Sequence, residues 1–145
     1  MSTFPSRSMR TTQASYKLIQ SAGAQNNAEM SNKKGVVLLI ANCDYTFWPT
    51  LTTPASDARQ LAKALETANY VTQLVFDADA NAMRSAVDLL VEMRKTVQQA
   101  QAQDVPAILC FFGHGCQING QNQLVPVDSP LHVLAGGALY TSFNI

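Results

Sequence analysis

The chain has 145 residues, of which 47% are hydrophobic and only 14% are charged, and its formal net charge is zero. This length allows one domain with a proper core and excludes two. The basic residues of its body are scattered and not interleaved with aromatics, which argues against nucleic-acid binding, and no apolar run approaches the roughly 20 residues that cross a bilayer.

The charge is unevenly distributed between the N-terminal segment and the rest of the chain. Residues 1–34 hold five basic residues and one acidic residue, Glu29, whereas the remainder holds five basic and nine acidic residues. Apart from a short segment at residues 16–19, residues 1–33 lack sustained periodicity and are predicted to form a flexible basic arm. Their Ser/Thr-rich composition is also compatible with a transit peptide. The folded domain is predicted to span residues 34–145.

The first strand is predicted from a continuous apolar run, and the first long helix from its start signal and a periodic apolar stripe. Residues 36–40 form a continuous, largely β-branched apolar run, typical of a strand buried on both faces. An aromatic and polar loop follows. Thr53 and Pro54 then indicate a helix start, with a capping hydroxyl and proline at the first helical position. The predicted apolar stripe of this helix comprises Ala58, Leu61, Ala62, Leu65 and Ala68.

Two further strands and a second long helix complete the predicted order. Residues 70–76 read as a strand, and Asp77 and Asp79 supply turn and cap residues before a long helix that runs through Val97. Residues 107–112 form a third apolar run of strand type. The order β-α-β-α-β with short connections predicts a three-layer α/β fold, in which helices flank a mainly parallel sheet.

The third predicted strand leads directly into Gly113, His114 and Gly115. Ligands and chemistry collect at the carboxyl ends of strands in α/β folds, and glycine lets a substrate backbone approach closely. A histidine in this position is suited to proton transfer. Further on, Asn119-Gly120 between short extended arms predicts a tight hairpin turn.

The three cysteines are Cys43, Cys110 and Cys116, and they show no paired spacing of the kind that binds metals. Cys43 and Cys110 lie in apolar, strand-like runs and are predicted to be buried thiols. An odd cysteine count without a signal peptide predicts a reducing, intracellular setting, with the cytoplasm as the expected location.

Four sequence elements follow one another along the chain: Val37-Leu-Leu-Ile-Ala-Asn-Cys-Asp-Tyr45, Leu51-x-x-Pro54-x-x-Asp57-Ala58, Gly113-His114-Gly115 and Leu124-Val-Pro-Val-Asp128. Taken together and in this order, they resemble the caspase-like fold. The match is closest to the metacaspase and paracaspase branches and covers roughly residues 34–130.

The resemblance implies a cysteine endopeptidase that works through a His–Cys dyad, with a polypeptide as its substrate. No cofactor is predicted, and no carboxylate cluster in the sequence makes a convincing calcium site. His114 matches the histidine that moves protons, and the backbone N–H of Gly115 corresponds to an oxyanion-hole donor. Asp57 matches an acidic position that lines the pocket for the residue before the scissile bond, which implies cleavage after Arg or Lys. The simpler alternatives are a packed histidine, and an aspartate placed by the helix macrodipole.

The family's nucleophilic cysteine follows an apolar strand and an aspartate downstream of the Val-Pro-Val-Asp element, and no residue here matches it. Neither Cys116 nor Cys43 is expected to replace it. The chain is therefore predicted to hold an incomplete fold and to be inactive alone. It is interpreted as part of an active peptidase, as one piece of an enzyme completed by a second chain or downstream segment, or as a non-catalytic scaffold.

A rival from another class is a flavodoxin-like binder of small molecules, which shares the β-α order. Such a protein needs a phosphate-binding loop after its first strand. Residues 42–45 contain no glycine and include Asp44, so this alternative is disfavoured.

Overall fold

The fold is built around β1 (Val36–Ala41), a strand in which all six residues are buried. The computed structural model describes residues 27–130 and 143–144. Most of the predicted basic arm, including residues 16–19, therefore lies outside the described residues.

The remaining elements follow the predicted order. The helices are α1 (Asn27–Met30), α2 (Pro54–Thr67) and α3 (Ala80–Gln101). The other strands are β2 (Val71–Phe76), β3 (Ala107–Phe112), β4 (Gly115–Ile118), β5 (Gln121–Leu124) and β6 (Phe143–Asn144).

The main sheet is parallel, with strand order β2-β1-β3. Alternate residues of β1 point to opposite faces of this sheet, and the core divides accordingly. Val36, Leu38 and Ile40 join the cluster that contains the inner face of α3. Val37, Leu39 and Ala41 join the cluster that contains α2. The predicted three-layer α/β architecture is confirmed, and the uninterrupted apolar run of β1 follows from burial on both faces.

Two details of α2 differ from prediction. Its buried residues include Ala58 and Ala62, as expected, but Ala68 is exposed at the C-terminal end. The side chain of Thr53 makes no capping hydrogen bond. The physical reason is that Thr53 has helical backbone angles, φ −97° and ψ −27°, whereas a capping side chain is usually presented from extended backbone.

Helix α3 begins with a side-chain cap and buries one face. A carboxylate oxygen of Asp79 accepts a hydrogen bond from the backbone N–H of Ala82 at 2.8 Å, so this predicted cap residue does cap. The buried face consists of Ala80, Met83, Ala86, Leu90, Met93 and Val97. None of the helices in the described ranges is long and apolar enough to cross a bilayer.

The chain before β1 makes contact with α3. Met30 of α1 packs against the core, and the side-chain amide of Gln101 donates to the carbonyl oxygen of Met30 at 2.9 Å. The domain boundary between residues 33 and 34 remains a prediction.

The predicted hairpin forms a second, antiparallel sheet with strand order β4-β5-β6. Asn119 and Gly120 connect β4 and β5 with φ values of 51° and 79°. Positive φ at both positions defines the tight turn that Asn-Gly favours, because its twist matches that of the flanking strands.

Candidate active site

His114 lies where the third strand of the main sheet ends and the hairpin begins. Its backbone N–H donates a 2.8 Å hydrogen bond to the hydroxyl oxygen of Tyr45, whose ring is buried. The preceding Gly113 lies so close to this hydroxyl and to the ring of Phe111 that a Cβ atom would collide with both. Glycine is therefore needed here for close approach. The sequence placed a glycine beside the histidine, and the structure shows the contact that requires it.

The imidazole of His114 is oriented by a backbone carbonyl. Its Nε2 lies 2.7 Å from the carbonyl oxygen of Pro49. A carbonyl can only accept, so Nε2 carries the hydrogen and, in the neutral ring, Nδ1 is the basic nitrogen. Within the described residues Nδ1 has no hydrogen-bond partner. Among these residues the ring thus leaves Nδ1 open as a proton acceptor.

Two aromatic rings of the loop after β1 hold the imidazole. The ring centroids of Tyr45 and His114 are 4.7 Å apart in an edge-on arrangement, and those of Trp48 and His114 are 5.4 Å apart. The indole N–H of Trp48 donates to the carbonyl oxygen of Ser129 at 3.0 Å. Since each ring has a second anchor, the imidazole is confined on two sides.

Residues 125–129, which carry the Val-Pro-Val-Asp motif, hold this aromatic loop in place. The buried amide of Asn42 donates to the carbonyl oxygens of Ala78 and Val125 and accepts from the N–H of Ala78. The backbone N–H of Thr46 also donates to the carbonyl oxygen of Val127 at 2.8 Å. The motif therefore supports the imidazole through the loop that packs against it.

Asp77 also supports the aromatic loop, at the same edge of the sheet. One of its carboxylate oxygens accepts hydrogen bonds from the backbone N–H groups of Cys43, at 2.8 Å, and Asp44, at 2.9 Å. These bonds fix the start of the loop that carries Tyr45.

The other two predicted site residues are exposed. Gly115 begins β4, and Asp57 lies in the first turn of α2. No hydrogen bond or ion pair joins Asp57 to His114 in the described part of the chain. The guanidinium of Arg59 lies 4.5 Å from the ring centroid of Phe76 and forms no ion pair with Asp57. The carboxylate of Asp57 is thus open to solvent.

The three thiols are all half-buried, so the prediction that Cys43 and Cys110 are buried thiols is wrong. Cys43 lies past the end of β1, and the β3 strand of Cys110 is flanked by β1 alone among the described strands. Burial nevertheless raises the pKa of Cys110, which disfavours its reactive thiolate. None of the three thiols, Cys116 included, is hydrogen-bonded to His114. In the described residues, no group of three or more His, Cys, Asp or Glu side chains converges to hold a metal.

Sequence reasoning missed three parts of this site. The Pro49 carbonyl is a backbone group, which leaves no side-chain signal in a sequence. Tyr45 and Trp48 stood out only as members of an aromatic loop, and their contacts with His114 depend on how that loop folds back.

The hydroxyl of Tyr45 gives a prediction for stability at alkaline pH. Burial raises the pKa of Tyr45 above its ordinary value of 10.0, so the folded state favours the neutral phenol. This stabilisation is complete below about pH 10 and is lost as the pH rises through the folded-state pKa. The free energy of unfolding should therefore fall above about pH 10. Tyr45→Phe should make that fall shallower, as urea denaturation between about pH 8 and 11 would show. Identical pH dependence in both proteins would contradict the expectation.

Comparison with known proteins identifies the family of this chain. A family model described as "Caspase domain" matches residues 34–144. Over 99 residues the chain is 32% identical to the human (Homo sapiens) protein named mucosa-associated lymphoid tissue lymphoma translocation protein 1. The match covers 68% of this chain and 11% of that protein, so the chain spans a small fraction of this relative.

Proposed function

The chain belongs to the caspase-domain family, and on that premise we propose that it is the histidine-bearing part of a cysteine endopeptidase that cleaves after Arg or Lys. The observation that carries the proposal is the bond between Nε2 of His114 and the Pro49 carbonyl, which leaves Nδ1 as a free base.

The proposed reaction uses His114 as base and then as acid in each of its two halves. Nδ1 first takes the proton of a cysteine thiol, and the thiolate attacks the scissile carbonyl carbon. The backbone N–H of Gly115 donates to the oxyanion of the tetrahedral intermediate. As the C–N bond breaks, the imidazolium returns its proton to the leaving amine. Water then hydrolyses the thioester, losing its proton to the imidazole, and the thiol is released with that proton restored.

We propose that another stretch of polypeptide supplies the thiol, in the same protein or from a second chain. Support comes from the thiols described above, none of which reaches His114. The outer edge of β3 provides a place for an additional strand. Val36 N–H donates to the Pro106 carbonyl at 3.0 Å and Asn42 N–H to the Phe112 carbonyl at 2.9 Å. By the alternation of the parallel ladder, residues 107, 109 and 111 direct their backbone groups to the opposite side.

The side chains of β3 are consistent with such an added strand. Ile108 is 39% exposed and Leu109 is 36% exposed, and they point to opposite faces of the sheet. No other described strand pairs with this edge of β3. Exposed apolar residues beside an unpaired strand edge favour pairing with a further segment.

Asp57 is proposed to recognise the basic side chain before the scissile bond. Its carboxylate is exposed, has no ionic partner among the described residues, and matches the family position for this role. A guanidinium can pair with a carboxylate through two parallel hydrogen bonds, which gives both affinity and orientation.

Asp57→Asn tests this specificity in the protein joined to its thiol-bearing segment. We expect kcat/KM on Arg and Lys peptides to fall about 10- to 100-fold, since a hydrogen bond to a charged group contributes about 1.5–3 kcal/mol. Fluorogenic peptides that differ only in the residue before the cleaved bond provide the measurement. Asp88→Asn is the matched control, because Asp88 is exposed on α3, on the other face of the sheet. Equal losses on basic and neutral peptides would contradict the assignment.

The alternative function is a non-catalytic scaffold. The observation that favours it is the exposed apolar side chains of β3, which a partner protein could cover. The two functions differ in what happens when the thiol-bearing segment is present: an endopeptidase gains turnover that depends on His114, and a scaffold does not. A cytoplasmic location is part of either proposal and is supported by the three free cysteines.

A further inference from the structure

The outer edge of β4 begins at the proposed catalytic centre and presents backbone groups that no described strand uses. The N–H of Val125 donates to the carbonyl oxygen of His114 at 3.0 Å, which makes this a hydrogen-bonded pair of the antiparallel ladder. The register then makes Cys116–Gln123 and Ile118–Gln121 the next such pairs. Gly115 and Gln117 must therefore point their N–H and C=O groups away from β5.

We propose that this edge binds the part of a peptide substrate that follows the scissile bond, as an added parallel strand. The inference rests on the proposed function. The edge is continuous with the site: its first outward donor is the N–H of Gly115, beside His114. Since His114 must reach the leaving amine, the chain that follows this amine leaves the site beside the β4 edge, whose first residue adjoins His114.

The surface of β4 suits a backbone-reading partner. Gly115 and Gln117 are exposed, and residues 115–124 contain no charged side chain. The side chains of Gln117 and Asn122 bond to each other across the hairpin, so they do not compete for the outer edge. Binding by strand addition derives its affinity from main-chain hydrogen bonds, so it tolerates many substrate sequences.

Parallel pairing assigns each hydrogen bond. Gly115 N–H donates to the carbonyl of the residue before the scissile bond, and the Gly115 carbonyl accepts from the N–H of the second residue after it. Gln117 N–H then donates to the carbonyl of that second residue, and the Gln117 carbonyl accepts from the fourth. The N–H groups of the first and third residues point away from β4. Methylating alternate peptide nitrogens should therefore have alternating effects.

The test uses the full 145-residue chain, labelled with ¹⁵N, and synthetic peptides. The short probe is an acetylated tripeptide amide that ends in arginine, and the long probe adds four residues of valine and threonine. We expect the long probe to bind about tenfold more tightly and to shift the amide signals of Gly115 and Gln117. N-methylation of the second added residue removes an N–H that bonds to β4 and should weaken binding about 2- to 10-fold. N-methylation of the third, whose N–H points away from β4, should leave the affinity unchanged.

Two variants separate the backbone from the side chain of Gln117. Gln117→Pro removes an outward N–H that the hairpin does not use and should abolish most of the gain from the longer probe. Gln117→Ala keeps that N–H and should retain the gain. If the short probe shifts the signals of His114 or Asp57 but the extension adds nothing, this edge does not bind substrate and the proposed function stands. If neither probe binds, the proposed strand addition fails, and the endopeptidase proposal is judged separately by His114→Ala in the protein that carries the thiol.

Discussion

Replacing His114 by alanine is expected to lower peptide-bond cleavage by about 10²–10⁴-fold in the protein that carries both this domain and its thiol. The variant loses the only base proposed to take the thiol proton and the only acid proposed to protonate the leaving amine. The loss should appear in kcat, since the imidazole acts on the reacting atoms and contributes little to holding the substrate. Steady-state cleavage of an arginyl peptide measures it.

His132→Ala is the matched control for this experiment, because it is the other histidine in the chain. Added imidazole should restore part of the activity of His114→Ala by filling the space between Tyr45 and Trp48, and it should do nothing for the control. Thermal melting establishes whether the variant is folded. A folded His114→Ala protein that cleaves at the original rate would rule out the proposed mechanism.

Leu38→Ala should reduce the free energy of unfolding by about 2–5 kcal/mol. Leu38 is completely buried in the central strand, inside the cluster that joins the sheet to α3. The truncation leaves a cavity that neighbours on both sides of β1 cannot fill, because both are hydrogen-bonded in register. A domain of this size is typically stable by about 5–15 kcal/mol, so the loss is a large share of the total.

Leu109→Ala is the control for this second experiment. Leu109 is the register partner of Leu38 on β3 and faces the same side of the sheet, but it is 36% exposed. The same substitution should therefore lower the free energy of unfolding by only about 1–2 kcal/mol. Urea denaturation measures the free energy of unfolding of both variants, provided that its dependence on urea concentration is the same in each. Equal losses would mean that β3 is covered in solution.

The order of strands and helices was predictable because it rests on local pattern. The apolar run of β1 predicts burial on both faces, and Asn119-Gly120 predicts its turn because few other residue pairs adopt positive φ at two successive positions. The same reasoning failed where tertiary context decides. The Cys110 thiol of β3 is predicted to be buried, yet it is half-buried and its neighbours Ile108 and Leu109 are exposed, since burial depends on which strands lie beside β3.

The candidate site was predictable only in part, and for a related reason. The position of His114 follows from the end of a strand, and the resemblance to the caspase-like fold added Gly115 and Asp57. The tautomer of His114 did not follow, because it depends on the carbonyl oxygen of Pro49, which any residue type would carry. The role of the Tyr45 hydroxyl required the close approach to Gly113 that only coordinates reveal.

The carbonyl that orients the imidazole lies 65 positions earlier in the chain. The loop of that carbonyl is in turn anchored by segments that arrive later, since Trp48 bonds to Ser129 across 81 positions. A nascent or locally opened polypeptide that has made the strand but not this long-range closure carries an imidazole with neither its tautomer nor its direction determined. The proposed catalytic use of His114 therefore depends on the finished tertiary structure, because only that structure fixes the direction and the tautomer of the ring.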